Sequence, residues 1–146
     1  MKKYPCYIRG VEQKIPNVAP GTPIYANCVE VDPATEKLLF VSGMTAQTFD
    51  EGNCLTFTAY DQTKVCYSKL KAVLEEAGTS LENLVRTFIY FKDMSDYPVV
   101  RAAESEFFKE NAPDLIDHPP ASTVAQVGLA RPEFRVEIEA IAVVKK

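Results

Sequence analysis

The segment from residue 134 to residue 144 limits the possible folds of this chain more than any other. Its apolar residues recur at a period of two, which predicts a β-strand. One face of that strand carries Phe134, Val136, Ile138, Ala140, Ala142 and Val144. The other face is charged at one end and apolar at the other, with Arg135, Glu137, Glu139, Ile141 and Val143. A face exposed to water would be polar throughout, so we expect another copy of the chain to cover it.

Shorter apolar runs predict the remaining strands. Residues 25–31 and 38–42 flank an Asp-Pro-Ala-Thr turn signal and predict a β-hairpin. Residues 85–91 are β-branched and aromatic and predict a strand. A turn within residues 128–132 is expected to join two closing strands, over residues 122–127 and 134–144.

Two helices are predicted between these strands. Thr58 and Asp61 have the spacing of a capping box, and Gly78 stands where that first helix should end. A second helix opens near Ser95, with Pro98 in its first turn, and ends before Pro113. The order β-β-α-β-α-β-β predicts an α+β fold in which two helices pack on one face of a mixed sheet.

The length and charge narrow the function classes. A chain of 146 residues fits a single domain over residues 1–146, in which residues 1–22 are expected to form an irregular N-terminal arm. The net charge of −4 argues against binding to nucleic acid. Neither a signal peptide nor a long apolar run is apparent, so a cytoplasmic location is expected and no membrane partner. The four cysteines and one histidine lack the paired spacing of a zinc site, and we expect isolated thiols.

Several motifs resemble the RidA/YjgF family over residues 20–144. They are Val-Ser-Gly-Met at 41–44, Ala-Gly at 77–78, Val-Arg-Thr at 85–87 with Lys-Asp-Met at 92–94, Phe-Phe at 107–108 and Val-Glu-Ile-Glu-Ala-Ile-Ala at 136–142. The resemblance implies a chorismate-mutase-like α+β fold and a homotrimer with a ligand cleft between each pair of subunits.

The resemblance also implies an activity. Archetypal members hydrolyse reactive imines and enamines to 2-oxo acids and ammonia, and need neither a metal nor an organic cofactor. By matching motif positions, Glu137 is implied as the catalytic residue that orients water or moves a proton. Tyr25, Ser42 and Thr123 are implied as residues of the substrate cleft.

One family position departs from the pattern. Archetypal members carry a carboxylate-binding arginine where this chain has Ala121, and an asparagine where it has Arg101. Either another group anchors the substrate, with Arg101 and His118 as the candidates, or the ligand lacks that carboxylate. The predicted function is therefore an imine or enamine deaminase with a different anchor. The alternative is a non-catalytic homotrimer that binds a small metabolite in the same cleft.

Overall fold

The computed structural model describes residues 1–5, 15–47 and 57–146. Within these ranges six strands form one mixed sheet. They are β1 (Lys2–Pro5), β2 (Ala26–Glu30), β3 (Glu36–Met44), β4 (Leu84–Phe91), β5 (Ala121–Gln126) and β6 (Val136–Lys145). The helices are α1 (Ala59–Glu76), α2 (Tyr97–Asn111) and the short α3 (Asp114–Asp117). The sheet order is β1-β2-β5-β4-β6-β3, which confirms the α+β fold.

The core lies between one face of this sheet and helices α1 and α2. Alternate residues of β6 are buried there, among them Val136, Ile138 and Ala140, as the period of two predicted. Between the helices, the Tyr67 ring stacks on Phe107 at 5.8 Å and meets the edge of another ring, Phe108, at 5.0 Å. Each helix in the described ranges is too short or too polar to cross a membrane.

The local signals for the helices are confirmed. The Thr58 side chain accepts a hydrogen bond from the Asp61 backbone N–H at 3.2 Å, and the Asp61 carboxylate accepts one from the Thr58 N–H at 3.1 Å. This reciprocal capping box starts α1 one residue later. Gly78 follows the end of α1 with a φ of 80°, a left-handed conformation in which a side chain would be strained.

The predicted hairpins are wrong. Strand β2 pairs with β1 and β5, whereas β3 pairs with β6, so the first two predicted strands do not touch. Strand β4 likewise separates β5 from β6. The turn signals correctly predicted where the chain reverses its direction. A turn does not determine, however, which strands pair with each other in the sheet. Strand β6 has ten residues, long enough to pair with nine-residue β3 on one side and β4 on the other.

The N-terminal arm is also more ordered than predicted, because Lys2–Pro5 forms an edge strand antiparallel to β2. The Lys3 ammonium donates to the carbonyls of Glu82 and His118, both at 3.0 Å, and fastens this strand to the rest of the domain. Four residues are too few to show a strand period in the sequence. Residues 6–14 of the arm lie outside the described residues. Of the four cysteines, Cys66 is buried and Cys28 is exposed. Cys6 and Cys54 lie outside the described residues.

Two polar clamps fix the start of β6. The buried Gln62 side chain donates to the Glu133 carbonyl and accepts from the Arg135 backbone N–H, both at 2.8 Å. The Arg135 guanidinium binds Asp96 through two hydrogen bonds, of 3.0 and 2.7 Å. These contacts hold the start of β6 against the first turns of both helices. They thereby fix the face of the sheet on which Glu137 lies.

Candidate functional site

A cleft of about 600 Å³ opens where α2 begins beside β5. Its walls include Tyr25, Met94, Tyr97, Arg101, Ser122 and Val124. Tyr25 comes just before β2, and Ser122 and Val124 point from β5 toward the helices. The cleft is thus walled by two aromatic rings, apolar side chains and one charged group. We call it the α2–β5 cleft.

Arg101 is the charged residue of this cleft, and its charge is already compensated. Its Nη1 donates to Glu104 at 2.7 Å, and the two side chains are only 2% and 5% exposed. The Tyr67 hydroxyl donates to the same carboxylate from the core. Burial, the largest single effect, would lower the pKa of Arg101, but the charge and hydrogen bond of Glu104 together with Tyr97 and Tyr67 outweigh it and hold that pKa above its ordinary value. Burial, reinforced by Glu104, likewise raises the pKa of Tyr67, so its phenol stays a proton donor.

Ser122 connects Arg101 to the cleft wall. Its hydroxyl oxygen accepts hydrogen bonds from Arg101 Nη2 and from the buried Thr87 hydroxyl, each 3.0 Å long. A serine oxygen that accepts two hydrogen bonds still carries its own proton. Ser122 can therefore donate a hydrogen bond to a ligand in the α2–β5 cleft.

Ala121 and Thr123 point to the other side of the sheet. In the parallel pairing of β4 with β5, Ala121 is level with Arg86 and Thr123 with Phe88, and neighbours in register share a face. The Arg86 guanidinium lies 3.9 Å from the Phe88 ring centroid and donates to the Thr123 hydroxyl at 3.1 Å. We call this side, on which no helix of the described residues packs, the open sheet face.

Glu137 also lies on the open sheet face, beside Gly43 of β3. A Cβ built on Gly43 would be 2.0 Å from Glu137 Oε1, so the carboxylate occupies the space that a side chain would fill. The exposed residue Ser42 immediately precedes Gly43 in β3. Tyr90 of β4, the strand on the other side of β6, is level with Glu137. Desolvation and then the nearby charge of Glu139 raise the pKa of Tyr90, so its hydroxyl remains protonated beside these carboxylates.

The predicted site residues therefore form two groups in a single chain. Tyr25 and Arg101 meet at the α2–β5 cleft, while Ser42, Thr123 and Glu137 lie on the open sheet face together with Ala121. His118 joins neither group, because it lines a separate cavity of about 220 Å³ with Lys3, Glu82 and Asp114. Within the described ranges, no cluster of three or more His, Cys, Asp and Glu side chains has the arrangement of a metal site.

Three contributors to the site were not predicted. Ser122 entered the prediction only as the first residue of a closing strand, although the alternation of β5 makes it share a face with Val124. Glu104 stands three residues after Arg101 on α2, a spacing that brings helical side chains together and would have indicated the pair. Tyr97 lies in the predicted first turn of the second helix and was not among the predicted site residues.

Comparisons with known proteins agree with the fold. The family model described as Endoribonuclease L-PSP matches residues 22–144. The 3-aminoacrylate deaminase RutC of Acinetobacter baylyi is 32% identical over 114 residues, which cover 75% of this chain and 83% of that protein. The 2-iminobutanoate/2-iminopropanoate deaminase of Dermatophagoides farinae is 26% identical, over 83% and 86% of the two chains. The crystal structure of a YjgF-family protein from Neisseria meningitidis superposes with a TM-score of 0.62 at 30% identity, covering 86% of this chain and 91% of that one.

Proposed function

Because the chain belongs to the RidA/YjgF family, we propose that it is an imine or enamine deaminase that hydrolyses its substrate to a carbonyl compound and ammonia. The observation that carries this proposal is the Glu137 carboxylate, held against Gly43 on the open sheet face. The names of the two deaminases to which the chain is similar support the reaction class.

The complete site is proposed to form between copies of the chain in a homotrimer. Glu137 and Arg101 lie on opposite faces of the same sheet, so one chain cannot present both to one ligand. If the open sheet face of one subunit meets the α2–β5 cleft of the next, both groups line one cleft. The apolar side chains on the open sheet face support this assembly, since Phe40 is 76% exposed and Leu38 is 49% exposed.

The proposed chemistry needs only proton transfer and a positioned water. An enamine first takes a proton on carbon and becomes an iminium ion, whose carbon is electrophilic. Water attacks that carbon while Glu137 accepts the water's proton. Glu137 then returns that proton to nitrogen. As the carbon–nitrogen bond breaks and ammonia leaves, the hydroxyl oxygen gives its remaining proton to Glu137 and the carbonyl forms. Release of this proton to solvent balances the one that the enamine first took up. Tyr90, level with Glu137 in β4, stays protonated beside it and has its hydrogen-bond partner in the neighbouring Glu139.

The direct test is the substitution Glu137→Gln. Imines are generated in the assay by an amino-acid oxidase or a dehydratase, and ammonia release is followed over the spontaneous rate. The loss of a general acid–base should reduce the enzymatic rate about 10²- to 10⁴-fold. Glu75→Gln is the matched control, since Glu75 is an exposed residue of α1 paired only with Lys71 among the contacts described for it. A Glu137→Gln variant as fast as wild type would refute the catalytic assignment.

The alternative function is a homotrimer that binds a small metabolite without turning it over. The aromatic walls of the α2–β5 cleft, Tyr25 and Tyr97, favour it because two aromatic rings suit a planar ligand. A thermal-shift screen of keto acids and aromatic carboxylates separates the two functions. A binder shows a ligand-dependent rise in melting temperature and no acceleration of ammonia release from any imine in the panel.

A further inference from the structure

We propose that the ligand anchor of the α2–β5 cleft is the Ser122 hydroxyl, supported by the Arg101–Glu104 pair. We further propose that this anchor selects an uncharged oxygen acceptor, such as the carbonyl of an amide or ester, over a carboxylate. The inference rests on the proposed function for the use of this cleft as the substrate site. It deepens that function by naming the chemical class of the substrate at this end.

The first step of the argument is the hydrogen-bonding state of Ser122. Its oxygen already accepts from Arg101 Nη2 and from the Thr87 hydroxyl, so it has a proton to donate rather than a lone pair to offer. The guanidinium polarises the serine O–H and strengthens it as a donor. A ligand carbonyl oxygen is the acceptor that such a donor fits.

The second step concerns charge. Arg101 is 2% exposed and bonds Glu104 at 2.7 Å, so the pair brings no net charge to the cleft. A carboxylate that enters loses its hydration, and a buried charge needs a partner of opposite sign to recover that cost. The Arg101 guanidinium cannot recover that cost, because it is already bound to the Glu104 carboxylate. A neutral carbonyl has much less hydration to lose and needs no such partner.

The third step considers what another copy of the chain would add. The open sheet face proposed to complete the cleft carries Glu137 and Glu139, which disfavour an anion. Arg86, a cation on the same face, is engaged by the Phe88 ring and the Thr123 hydroxyl. The charges on both sides of the completed cleft therefore favour an uncharged acceptor at Ser122.

Benzamide and benzoate test this inference, because they share a planar ring and nearly the same shape but differ in charge. Affinities are measured by calorimetry or by NMR titration of the full-length protein. We expect wild type to bind benzamide more tightly than benzoate, by on the order of tenfold. Ser122→Ala should weaken benzamide about fivefold, the loss of one neutral hydrogen bond. Equal or tighter binding of benzoate, or detectable binding of neither probe at millimolar concentration, overturns the inference.

Two further variants examine the compensation of charge. Glu104→Gln keeps the shape of the side chain but leaves the Arg101 charge unpaired, so benzoate should gain about tenfold while benzamide changes little. A purely structural role for the pair would weaken both probes instead. Since an unpaired buried cation can unfold the protein, the double variant Arg101→Met/Glu104→Leu removes both charges together. It should leave the ratio of the two affinities nearly unchanged, and a selective loss of benzoate there would show that Arg101 acts as a cationic anchor.

These measurements are independent of turnover. If no imine is hydrolysed but benzamide binds through Ser122, the proposed deaminase function fails and the anchor stands. If imines are hydrolysed through Glu137 but benzoate is the preferred probe, the anchor fails and the function stands.

Discussion

At the scale of single residues, Gly43 is the position where side-chain volume acts most directly on the proposed chemistry. It lies in β3, and the carboxylate beside it belongs to β6. A Cβ at this position would come within 2.0 Å of Glu137 Oε1, and within 2.9 Å of the carboxyl carbon. Both contacts are far below van der Waals distance, so the carboxylate would have to move.

We expect Gly43→Ala to lower the rate of imine hydrolysis with little change in melting temperature. The Glu137 side chain can rotate toward solvent without disturbing the core, but a displacement of about 1 Å from a productive position can cost on the order of 10²-fold in rate. The measurement is steady-state ammonia release together with a thermal melt. Gly128→Ala is the matched control, because a Cβ there would meet no atom within 4 Å. A Gly43→Ala enzyme with the wild-type rate would mean that the position of Glu137 is unimportant.

The outward-facing position of Glu137 could be predicted from the sequence, but its contact with Gly43 could not. The period of two in β6 places Glu137 on the outward face by local geometry alone. Its neighbour comes from a distant strand, after a register shift between Val41 and Met44 that no local pattern reveals. In β5, attention fell on Ala121 because of its position in the family motif, whereas its neighbour Ser122 is the residue that lines the α2–β5 cleft.

At the scale of secondary-structure elements, local chemistry decided what could be predicted. The bounds of helix α1 could be predicted because Thr58 with Asp61 at its start and Gly78 at its end each act on the backbone within a few residues. Strand partners were not readable, because pairing depends on length and packing across the whole chain. Strand β1 shows this most clearly, since its position depends on Lys3 and on carbonyls about 79 and 115 residues away along the chain.

Lys3 gives β1 a measurable dependence on pH. Burial lowers its pKa from 10.5 to about 8, against the opposing charges of Glu82 and Asp114. Below pH 8 the amine is protonated in both the folded and the unfolded chain. Between about pH 8 and 10.5 the unfolded chain binds more protons at this group, so its contribution to stability rises with pH.

We therefore expect the free energy of unfolding of wild type to rise between pH 8 and pH 10 relative to Lys3→Met. The methionine keeps the apolar stem and removes the amine. Urea unfolding at several pH values in this window measures the difference. Lys2→Met is the control from the same strand, because Lys2 is fully exposed and its pKa is raised, chiefly by Tyr4. A wild-type curve parallel to that of Lys3→Met would show that Lys3 titrates normally.

At the scale of the whole molecule, the open sheet face connects the fold with the proposed site. The residue pattern of the last strand predicted a covered second face, and within the described ranges of one chain no helix packs on that face. Apolar side chains from three strands lie there, with Phe40 level with Ile141 of β6. A surface of this kind is typical of a contact between subunits, and the two half-sites need such a contact to meet.

Phe40→Glu should convert the proposed trimer into monomers. Phe40 is 76% exposed in the single chain, so the substitution removes little from the core but would bury a charge in the interface. Light scattering coupled to size-exclusion chromatography measures the mass, for which the chain of 16.2 kDa is the unit. Val73→Glu is the control, since Val73 is 38% exposed on α1 and lies away from this face. Imine hydrolysis should disappear with the trimer in Phe40→Glu, because Glu137 and the α2–β5 cleft would then lie apart in each monomer. Full activity in a monomeric variant would place the whole site within one chain and refute the proposed cleft between subunits.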